Sequence, residues 1–250
     1  MRLKPTRIED VPVPELSGLA LSGTRLVAIG DRKAVLAHAV LADEHLEWSV
    51  VDLDPYGLDR AQFEGIAMAA DGTILVLREH PPIVHVLDLD GDRADTITLL
   101  AGDGVLDDVF ADSSASCEGL VPLGDRRLLV AKEKRPPLLV EFGPTDAAGS
   151  LRAIAAWRLD DVEDISDLSI AGGELYCLSD TSRRIVVVTL PLDRADERAR
   201  PKDTWDLEVP ERDDEPDGKP EGLVVTEDDA LIVGLDTERP VANLCWYRRP

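Results

Sequence analysis

The stretch that decides the fold is FEGIAMAADGTILVLRE, residues 63–79. Two short apolar runs flank an Asp-Gly turn, and an acidic residue follows the second run. Apolar runs on either side of such a turn predict an antiparallel β-hairpin. The first strand of this hairpin begins at a polar anchor, Glu64, which a glycine follows, and the second strand leads to Glu79.

The same pattern recurs four more times along the chain. The other copies are ELSGLALSGTRLVAIGD (15–31), CEGLVPLGDRRLLVAKE (117–133), ISDLSIAGGELYCLSD (165–180) and PEGLVVTEDDALIVGLD (220–236). In each copy a polar anchor precedes Gly or Asp, and the anchors are Ser17, Glu64, Glu118, Ser166 and Glu221. Self-similarity at a regular period predicts a repeat architecture.

A third β-rich run follows every hairpin, and a fourth follows the first four, as in IVHVLDL (83–89) and DTITLL (95–100). Four short antiparallel strands repeated radially are typical of a β-propeller blade. The sequence therefore predicts an all-β fold, a five-bladed β-propeller of four-stranded antiparallel blades. We expect a single domain over residues 1–250, with blades starting near residues 17, 64, 118, 166 and 221.

The last blade needs a fourth strand from elsewhere, because the sequence ends at Pro250. The segment TRIEDVPV, residues 6–13, resembles the other fourth strands. We predict that it pairs beside the third strand of the last blade and closes the ring, which removes exposed strand edges. Three longer inserts, at 101–116, 193–202 and 211–219, are predicted to be loops.

Charge and cysteine content restrict the function classes. The chain has 27 Lys and Arg against 50 Asp and Glu, a net charge of −23. Nucleic acids and anionic membranes require a basic face, so neither is an expected partner. Three cysteines without CxxC spacing and the absence of an N-terminal apolar segment predict a cytoplasmic protein, which we expect to be a monomer. Phosphate-loop, dinucleotide, HExxH and GxSxG motifs are absent.

The five anchors are predicted to ring one mouth of the central channel, because the first strand of each propeller blade lines it. This inner ring consists of Ser17, Glu64, Glu118, Ser166 and Glu221. Three carboxylates in a narrow channel repel one another, and a divalent cation relieves the repulsion. Ca²⁺ accepts irregular sets of oxygen ligands, so we expect a Ca²⁺ site and no organic cofactor. The alternative is that strand amides and water satisfy the glutamates without a metal.

The acidic residues after the second strands are predicted to lie on the same face, farther out. This outer ring consists of Asp31, Glu79, Glu133, Asp180 and Asp236. The last four are candidate catalytic groups, because a carboxylate can orient an attacking water. Basic residues beside them are candidate contacts for a small-molecule substrate with phosphate oxygens: Arg32, Arg78, His80, Lys132, Arg135 and Arg183. The alternative is that these charges form salt bridges between blades.

The order Ser, Glu, Glu, Ser, Glu on successive blades resembles the calcium-dependent apyrases. Those are five-bladed propellers with Ca²⁺ in the channel, and they hydrolyse nucleoside diphosphates and triphosphates. The phrases EGL (118–120 and 221–223) and LSD (178–180) resemble the SdiA-regulated and phytase-like esterase propellers. The gluconolactonase family uses two asparagines as metal ligands, whereas this chain has Asn243 alone, so that site cannot be assembled.

Three functions stay open on these observations. The first is a Ca²⁺-dependent phosphohydrolase for nucleotides or similar phosphate esters. The second is a non-catalytic propeller whose central ion or water cluster is structural and whose face binds a partner. The third is a phytase-like esterase or lactonase.

Overall fold

The computed structural model describes residues 1–41, 45–58, 62–88, 93–102, 117–211 and 218–250. Within these ranges the regular structure is β-strand, apart from a 3-10 turn at Asp54–Tyr56, which confirms the all-β prediction. No helix in the described ranges is long and apolar enough to cross a membrane. The predicted loops at 101–116 and 211–219 lie largely outside the described residues.

Two short strands precede the first repeat, β1 (Arg2–Leu3) and β2 (Arg7–Glu9). The first group of strands is β3 (Leu16–Ser22), β4 (Arg25–Gly30), β5 (Val35–Val40) and β6 (Ser49–Asp52). The second group is β7 (Phe63–Met68), β8 (Ile74–Arg78), β9 (Ile83–Asp88) and β10 (Arg93–Leu100). The third group is β11 (Cys117–Gly124), β12 (Arg127–Lys132), β13 (Leu138–Pro144) and β14 (Ser150–Leu159).

The fourth group is β15 (Asp167–Ala171), β16 (Glu174–Ser179), β17 (Arg184–Thr189) and, after the two-residue β18 (Arg198–Ala199), β19 (Pro201–Leu207). The fifth group contains β20 (Lys219–Val225), β21 (Ala230–Asp236) and β22 (Leu244–Arg248). Consecutive strands within each group pair antiparallel. Two-residue hairpin turns favour a left-handed backbone, which Gly172 and Gly173 both adopt between β15 and β16.

The apolar side chains form five clusters, and each cluster lies between two neighbouring groups. The cluster around Val27 and Phe63 joins the first and second groups, and the cluster around Leu16 and Ile232 joins the fifth and first. The second strand of a group is therefore covered on both faces. This explains why β4 is apolar along almost its whole length instead of alternating.

The N-terminal strand β2 pairs antiparallel with β22, within the segment 6–13 predicted for this role. Asn243 reinforces this closure from a fully buried position. Its side-chain oxygen accepts from the Val11 amide at 2.7 Å, and its Nδ2 donates to the carbonyls of Val11 and Val13 at 3.1 and 3.2 Å. The chain's single asparagine therefore ties the two ends of the chain together.

Several parallel pairings were not predicted. β1 pairs with β19, and β10 pairs with β14, which joins the second and third groups into one sheet. β18 pairs with β14 inside the segment 193–202 that was predicted to be a loop, and β19 begins at Pro201, so that prediction is wrong for its second half.

Candidate functional site

The first strands of the groups surround a central channel. Strands β3, β7, β11, β15 and β20 contact one another in cyclic order. At one end of the channel, a cavity of about 180 Å³ is lined by residues 19–21, 66–68, 120–122, 168–170 and 223–225. Its lining is mostly apolar, and each of the five strands contributes to it.

The strands approach most closely one residue after each anchor, at positions 18, 65, 119, 167 and 222, which we call the collar. Gly119 has a φ of +58°, and a Cβ atom added there would lie 2.7 Å from the Cα of Asp167. A Cβ atom added to Gly65 would lie 2.9 Å from the Cα of Gly119. Real side chains do not tolerate such contacts, so the repeated glycine after the anchor is a packing requirement.

Asp167 occupies the collar position of the fourth repeat and is fully buried. Its Oδ1 accepts from the Leu168 amide at 2.8 Å, and its Oδ2 accepts from the Leu223 amide at 2.6 Å. Burial raises the pKa of Asp167 well above its usual range, although hydrogen bonds from backbone amides, including that of Leu19, oppose the shift. Its carboxyl group therefore links the fourth group to the fifth and the first.

Beyond the collar, on the side of the anchors, lies a cavity of about 230 Å³ that we call the acidic cavity. Four of the five predicted inner-ring residues and four of the five outer-ring residues line it. Its full lining is Asp31, Arg32, Glu64, Glu118, Glu133, Asp164, Ser166, Asp180, Lys219, Glu221 and Asp236. Ser17 and Glu79 are outside this lining, whereas Asp164 and Lys219 belong to it without having been predicted.

The three channel glutamates share an unfavourable electrostatic environment. Burial raises the pKa of Glu64 to about 9, and the negative charges of Asp31 and Glu221 add to the shift. Burial raises the pKa of Glu221 to about 8, with Asp236 contributing and Lys219 opposing. Burial also raises the pKa of Glu118 well above its usual range, and Glu64 contributes. The cavity therefore resists holding three ionised carboxylates without a compensating cation.

Three outer-ring carboxylates also have raised pKa values. Burial raises the pKa of Asp31, Asp180 and Asp236, and other carboxylates contribute in each case. Two cations in the lining moderate the field. Lys219 Nζ lies 3.8 Å from Glu221 Oε1, and Arg32 lies 3.7 Å from Asp31 Oδ2.

The two serine anchors differ in their hydrogen bonding. Ser166 is buried, and its hydroxyl donates to the carbonyl of Pro220 at 2.8 Å, which leaves its oxygen lone pairs free to accept. Ser17 is 2% exposed, and its Oγ has no hydrogen-bond partner among the described residues. An unpartnered buried hydroxyl is costly in a folded protein, so it needs an explanation.

Asp164 is a buried carboxylate that its own neighbours hold in place. It accepts hydrogen bonds from the hydroxyls of Ser179 and Thr181 and from the Thr181 amide at 3.0 Å. The sequence prediction missed it because it considered the anchors and the acids after the second strands, whereas Asp164 lies two residues before the fourth anchor, the same offset at which Lys219 precedes the fifth. Lys219 was missed because it lies just before an anchor, at the end of a predicted loop.

The predicted basic residues do not all reach the acidic cavity. Arg32 lines it and pairs with Glu15 at 2.9 Å. Lys132 is buried, and its ammonium donates to the carbonyls of Lys134 at 2.5 Å and Arg135 at 3.4 Å, so it holds its own loop. The remaining four, Arg78, His80, Arg135 and Arg183, lie outside the cavity lining, and all but Arg78 are exposed.

Among the described residues, no group of three or more His, Cys, Asp or Glu side chains is already arranged to hold a metal ion. The donor chemistry nevertheless fits a hard cation, since carboxylate and hydroxyl oxygens from all five strand groups line one cavity. The three cysteines are buried and free, and burial raises the pKa of Cys117 to about 12, which opposes a nucleophilic role for its thiol.

Solved structures support a β-propeller fold. The glutaminyl cyclase of Myxococcus xanthus is 15% identical, with a TM-score of 0.64 and coverage of 99% of this chain and 97% of that one. The PQQ-bound aldose sugar dehydrogenase of Streptomyces coelicolor is 13% identical, with a TM-score of 0.54 and coverage of 98% and 97%. At such low identity these likenesses concern the fold alone.

The family comparison is more specific. No curated protein matches the chain. The resemblance to the calcium-dependent apyrases is not confirmed by any of these comparisons. The SdiA-regulated family model matches residues 62–233, more than half of the sequence, which confirms the resemblance carried by the EGL and LSD phrases. The chain therefore belongs to the SdiA-regulated family.

Proposed function

We propose that the chain is a five-bladed β-propeller whose acidic cavity binds Ca²⁺ and hydrolyses a phosphate ester. In this proposal the five strand groups are four-stranded blades, and β2 completes the last one. The cyclic contacts of the first strands and the five apolar clusters between neighbouring groups support that blade count.

The Ca²⁺ site would consist of Glu64, Glu118 and Glu221, with the hydroxyls of Ser17 and Ser166. Burial and mutual repulsion raise the pKa of all three glutamates, so a divalent cation in this cavity replaces a repulsive arrangement by an attractive one. Ser17 lies outside the cavity lining, but its buried Oγ is unpartnered, so it would supply a further oxygen donor once the carboxylates and the first strand group close around the cation. Because the carboxylates are not already grouped around one point, they would move together on binding.

The observation that carries the catalytic part of the proposal is the mixed lining of one cavity. The three channel glutamates share it with Arg32 and Lys219 and with the outer carboxylates Glu133, Asp180 and Asp236. When bound, Ca²⁺ would supply charge stabilisation for phosphate oxygens. Arg32 and Lys219 would contact the same oxygens, and an outer carboxylate would orient the attacking water. Glu79, Arg78 and His80 lie outside the lining and are left out of this proposed machinery.

The binding experiment uses chelator-treated protein and Ca²⁺ alone. Ca²⁺ at a hundred times its dissociation constant should stabilise the folded state by about 2.7 kcal/mol, seen as a rise in melting temperature. Glu118→Gln should weaken this rise because it removes one ligand charge. Glu227→Gln is the control, since Glu227 is exposed in the fifth strand group, beyond the end of β20 that is away from the acidic cavity. An unchanged melting temperature at millimolar Ca²⁺ contradicts the site.

The activity experiment measures phosphate release from ADP, GDP and UDP with and without Ca²⁺. We expect slow, Ca²⁺-dependent release that Glu133→Gln abolishes while the Ca²⁺-induced rise in melting temperature remains. A rate that survives chelation contradicts the mechanism. A rate equal to buffer in every condition, with Ca²⁺ binding intact, favours a non-catalytic propeller with a structural ion.

Membership of the SdiA-regulated family favours a second candidate, an esterase or lactonase that uses the same cavity. A bound cation polarises a carbonyl oxygen as well as a phosphoryl oxygen. A p-nitrophenyl ester and a simple lactone should therefore be assayed beside the nucleotides. Ca²⁺-dependent turnover of the carbonyl substrates alone would replace the phosphohydrolase assignment.

A further inference from the structure

A second cavity, of about 400 Å³, lies in the cleft between the third and fourth strand groups. It is on the side of the molecule away from the acidic cavity, because β11 runs from Glu118 in that cavity to Leu123 in this cleft. Pro122 and Ile170 line both the cleft and the apolar end of the channel, so the two spaces adjoin. Its volume falls in the range of about 300–1,000 Å³ that is typical of small-molecule sites.

One wall of the cleft is apolar and accessible. Leu123, Leu190 and Leu192 are half-buried at its edge, and Ile170 is 36% exposed. The indole of Trp157 forms part of the lining, and its Nε1 donates to the carbonyl of Asp193 at 2.8 Å. The polar atom of the indole is therefore satisfied, and the ring, which is only 2% exposed, contributes a small apolar area to the cleft beside the leucines.

The other wall of the cleft presents two arginine side chains. Glu141 is buried, and its Oε1 accepts from Arg127 Nη1 at 2.9 Å and from Arg194 Nη2 at 2.7 Å. The two arginine side chains remain 35% and 55% exposed. Each guanidinium has five N–H donors, so both retain donors after binding Glu141. Arg127 Nη2 also lies 4.0 Å from Oδ2 of Asp125, whose side chain is 94% exposed, so the wall offers remaining N–H donors rather than a net positive charge.

We propose that this cleft binds a small organic anion, a molecule with an apolar body and one carboxylate group. The apolar body would lie against Trp157 and Leu192, and the carboxylate would bind Arg194 and Arg127. Burying Glu141 carries a large desolvation cost that the two arginines offset, and the same arrangement fixes both guanidinium groups at the edge of an apolar cavity. The site is independent of the acidic cavity and needs no Ca²⁺.

The experiment uses decanoate as the probe, with binding to the folded, chelator-treated protein followed by calorimetry. We expect one saturable site, and decanol, which has the same chain without the charge, should bind about tenfold more weakly because it loses a charge-assisted hydrogen bond. Decanoate should also change the tryptophan fluorescence, and Trp157→Phe should remove that change.

Two substitutions should change the affinity for decanoate in opposite directions. Arg194→Gln should weaken decanoate binding by about tenfold, because one guanidinium is lost while Arg127 still satisfies Glu141. Glu141→Gln should tighten binding, because the carboxylate that competes for both guanidiniums becomes neutral. Arg198→Gln is the control, since Arg198 follows in the same segment but pairs with Asp160 at 2.7 Å and does not line the cleft.

Three results would overturn the proposal: no saturable decanoate binding at millimolar concentration, equal affinity for decanoate and decanol, or weaker binding in Glu141→Gln than in the unaltered protein. Melting temperatures of all variants establish that each is folded. If Arg194→Gln does not fold, two comparisons still test the proposal: Glu141→Gln against the unaltered protein, and decanoate against decanol.

Discussion

The acidic cavity should make the stability of the metal-free protein fall as the pH rises above neutrality. The pKa of Glu64 is about 9 in the folded protein, against an ordinary value of 4.5. Between these values the folded state holds a proton that the unfolded state has released. Raising the pH therefore favours the unfolded state, with a slope of about 1.4 kcal/mol per pH unit for each such carboxyl. Glu221, with a pKa of about 8, adds to the slope over most of the same window.

The informative perturbation is Glu64→Gln. Glutamine resembles the protonated carboxyl in shape and hydrogen bonding but does not titrate. The difference in unfolding free energy between pH 7 and pH 8 should therefore shrink by about 1.4 kcal/mol relative to the unaltered protein. Working above pH 7 avoids His85, whose lowered pKa of about 4 makes stability rise with pH only up to about 6.5.

The assay is urea unfolding in the presence of a chelator at pH 7, 7.5 and 8, with Glu227→Gln as the control that should keep the full slope. Equal slopes for Glu64→Gln and the unaltered protein would refute the electrostatic reasoning, as would greater stability of the unaltered protein at pH 8 than at pH 7. Repeating the urea series with Ca²⁺ separates the electrostatic description of the cavity from the proposed Ca²⁺ site. If the slope is present but Ca²⁺ does not alter it, the cavity is electrostatically as described and the Ca²⁺ site is wrong.

Three further predictions concern the collar, the closure and the cavity lining. Asp167→Gly should destabilise the fold by about 2–4 kcal/mol in chemical unfolding, because the Leu223 amide loses its acceptor inside the channel. Asn243→Leu should cost about 2–4 kcal/mol and should increase hydrogen exchange in the N-terminal strand, since three hydrogen bonds that tie Val11 and Val13 to the last group are lost. Lys219→Met should raise the pKa of Glu221 further, observable by NMR titration of the glutamate carboxyl, because Lys219 opposes the present shift.

The fold was largely predictable because one pattern repeats. Each hairpin carries its own turn residues, and each anchor is followed by a residue that the collar geometry demands. The closing strand was predictable because the last repeat lacked a partner, and β2 pairs with β22 as expected. The parallel pairing of β10 with β14 was not predictable, since it depends on how two outer strands meet after the groups have packed, and no local pattern encodes that.

The site was predictable only where it follows the repeat. Glu64, Glu118 and Glu221 occupy equivalent positions, so the ring symmetry places them in one cavity. Asp164 and Lys219 share one repeat position, two residues before their anchors, but one is acidic and the other basic, so no common residue type pointed to that position. Lys132 was predicted to contact a phosphate, but it does not line the cavity. Its ammonium instead donates to the carbonyls of its own loop.

The distribution of paired and unpaired charge distinguishes the acidic cavity from the rest of the molecule. Elsewhere, Glu141 pairs with two arginines and Glu174 with Lys202, whereas the buried Asp167 accepts hydrogen bonds from backbone amides. In the acidic cavity, eight carboxyl groups share the lining with Arg32 and Lys219, and of these eight Glu133 also pairs with Lys134. The five apolar clusters that hold the strand groups together contain none of these eight residues, so the fold does not depend on their charge. These acids lower the stability of the folded state and take no part in the apolar packing. That combination is expected of a ligand-binding site. Binding of a cation in the cavity would relieve the repulsion between these carboxylates.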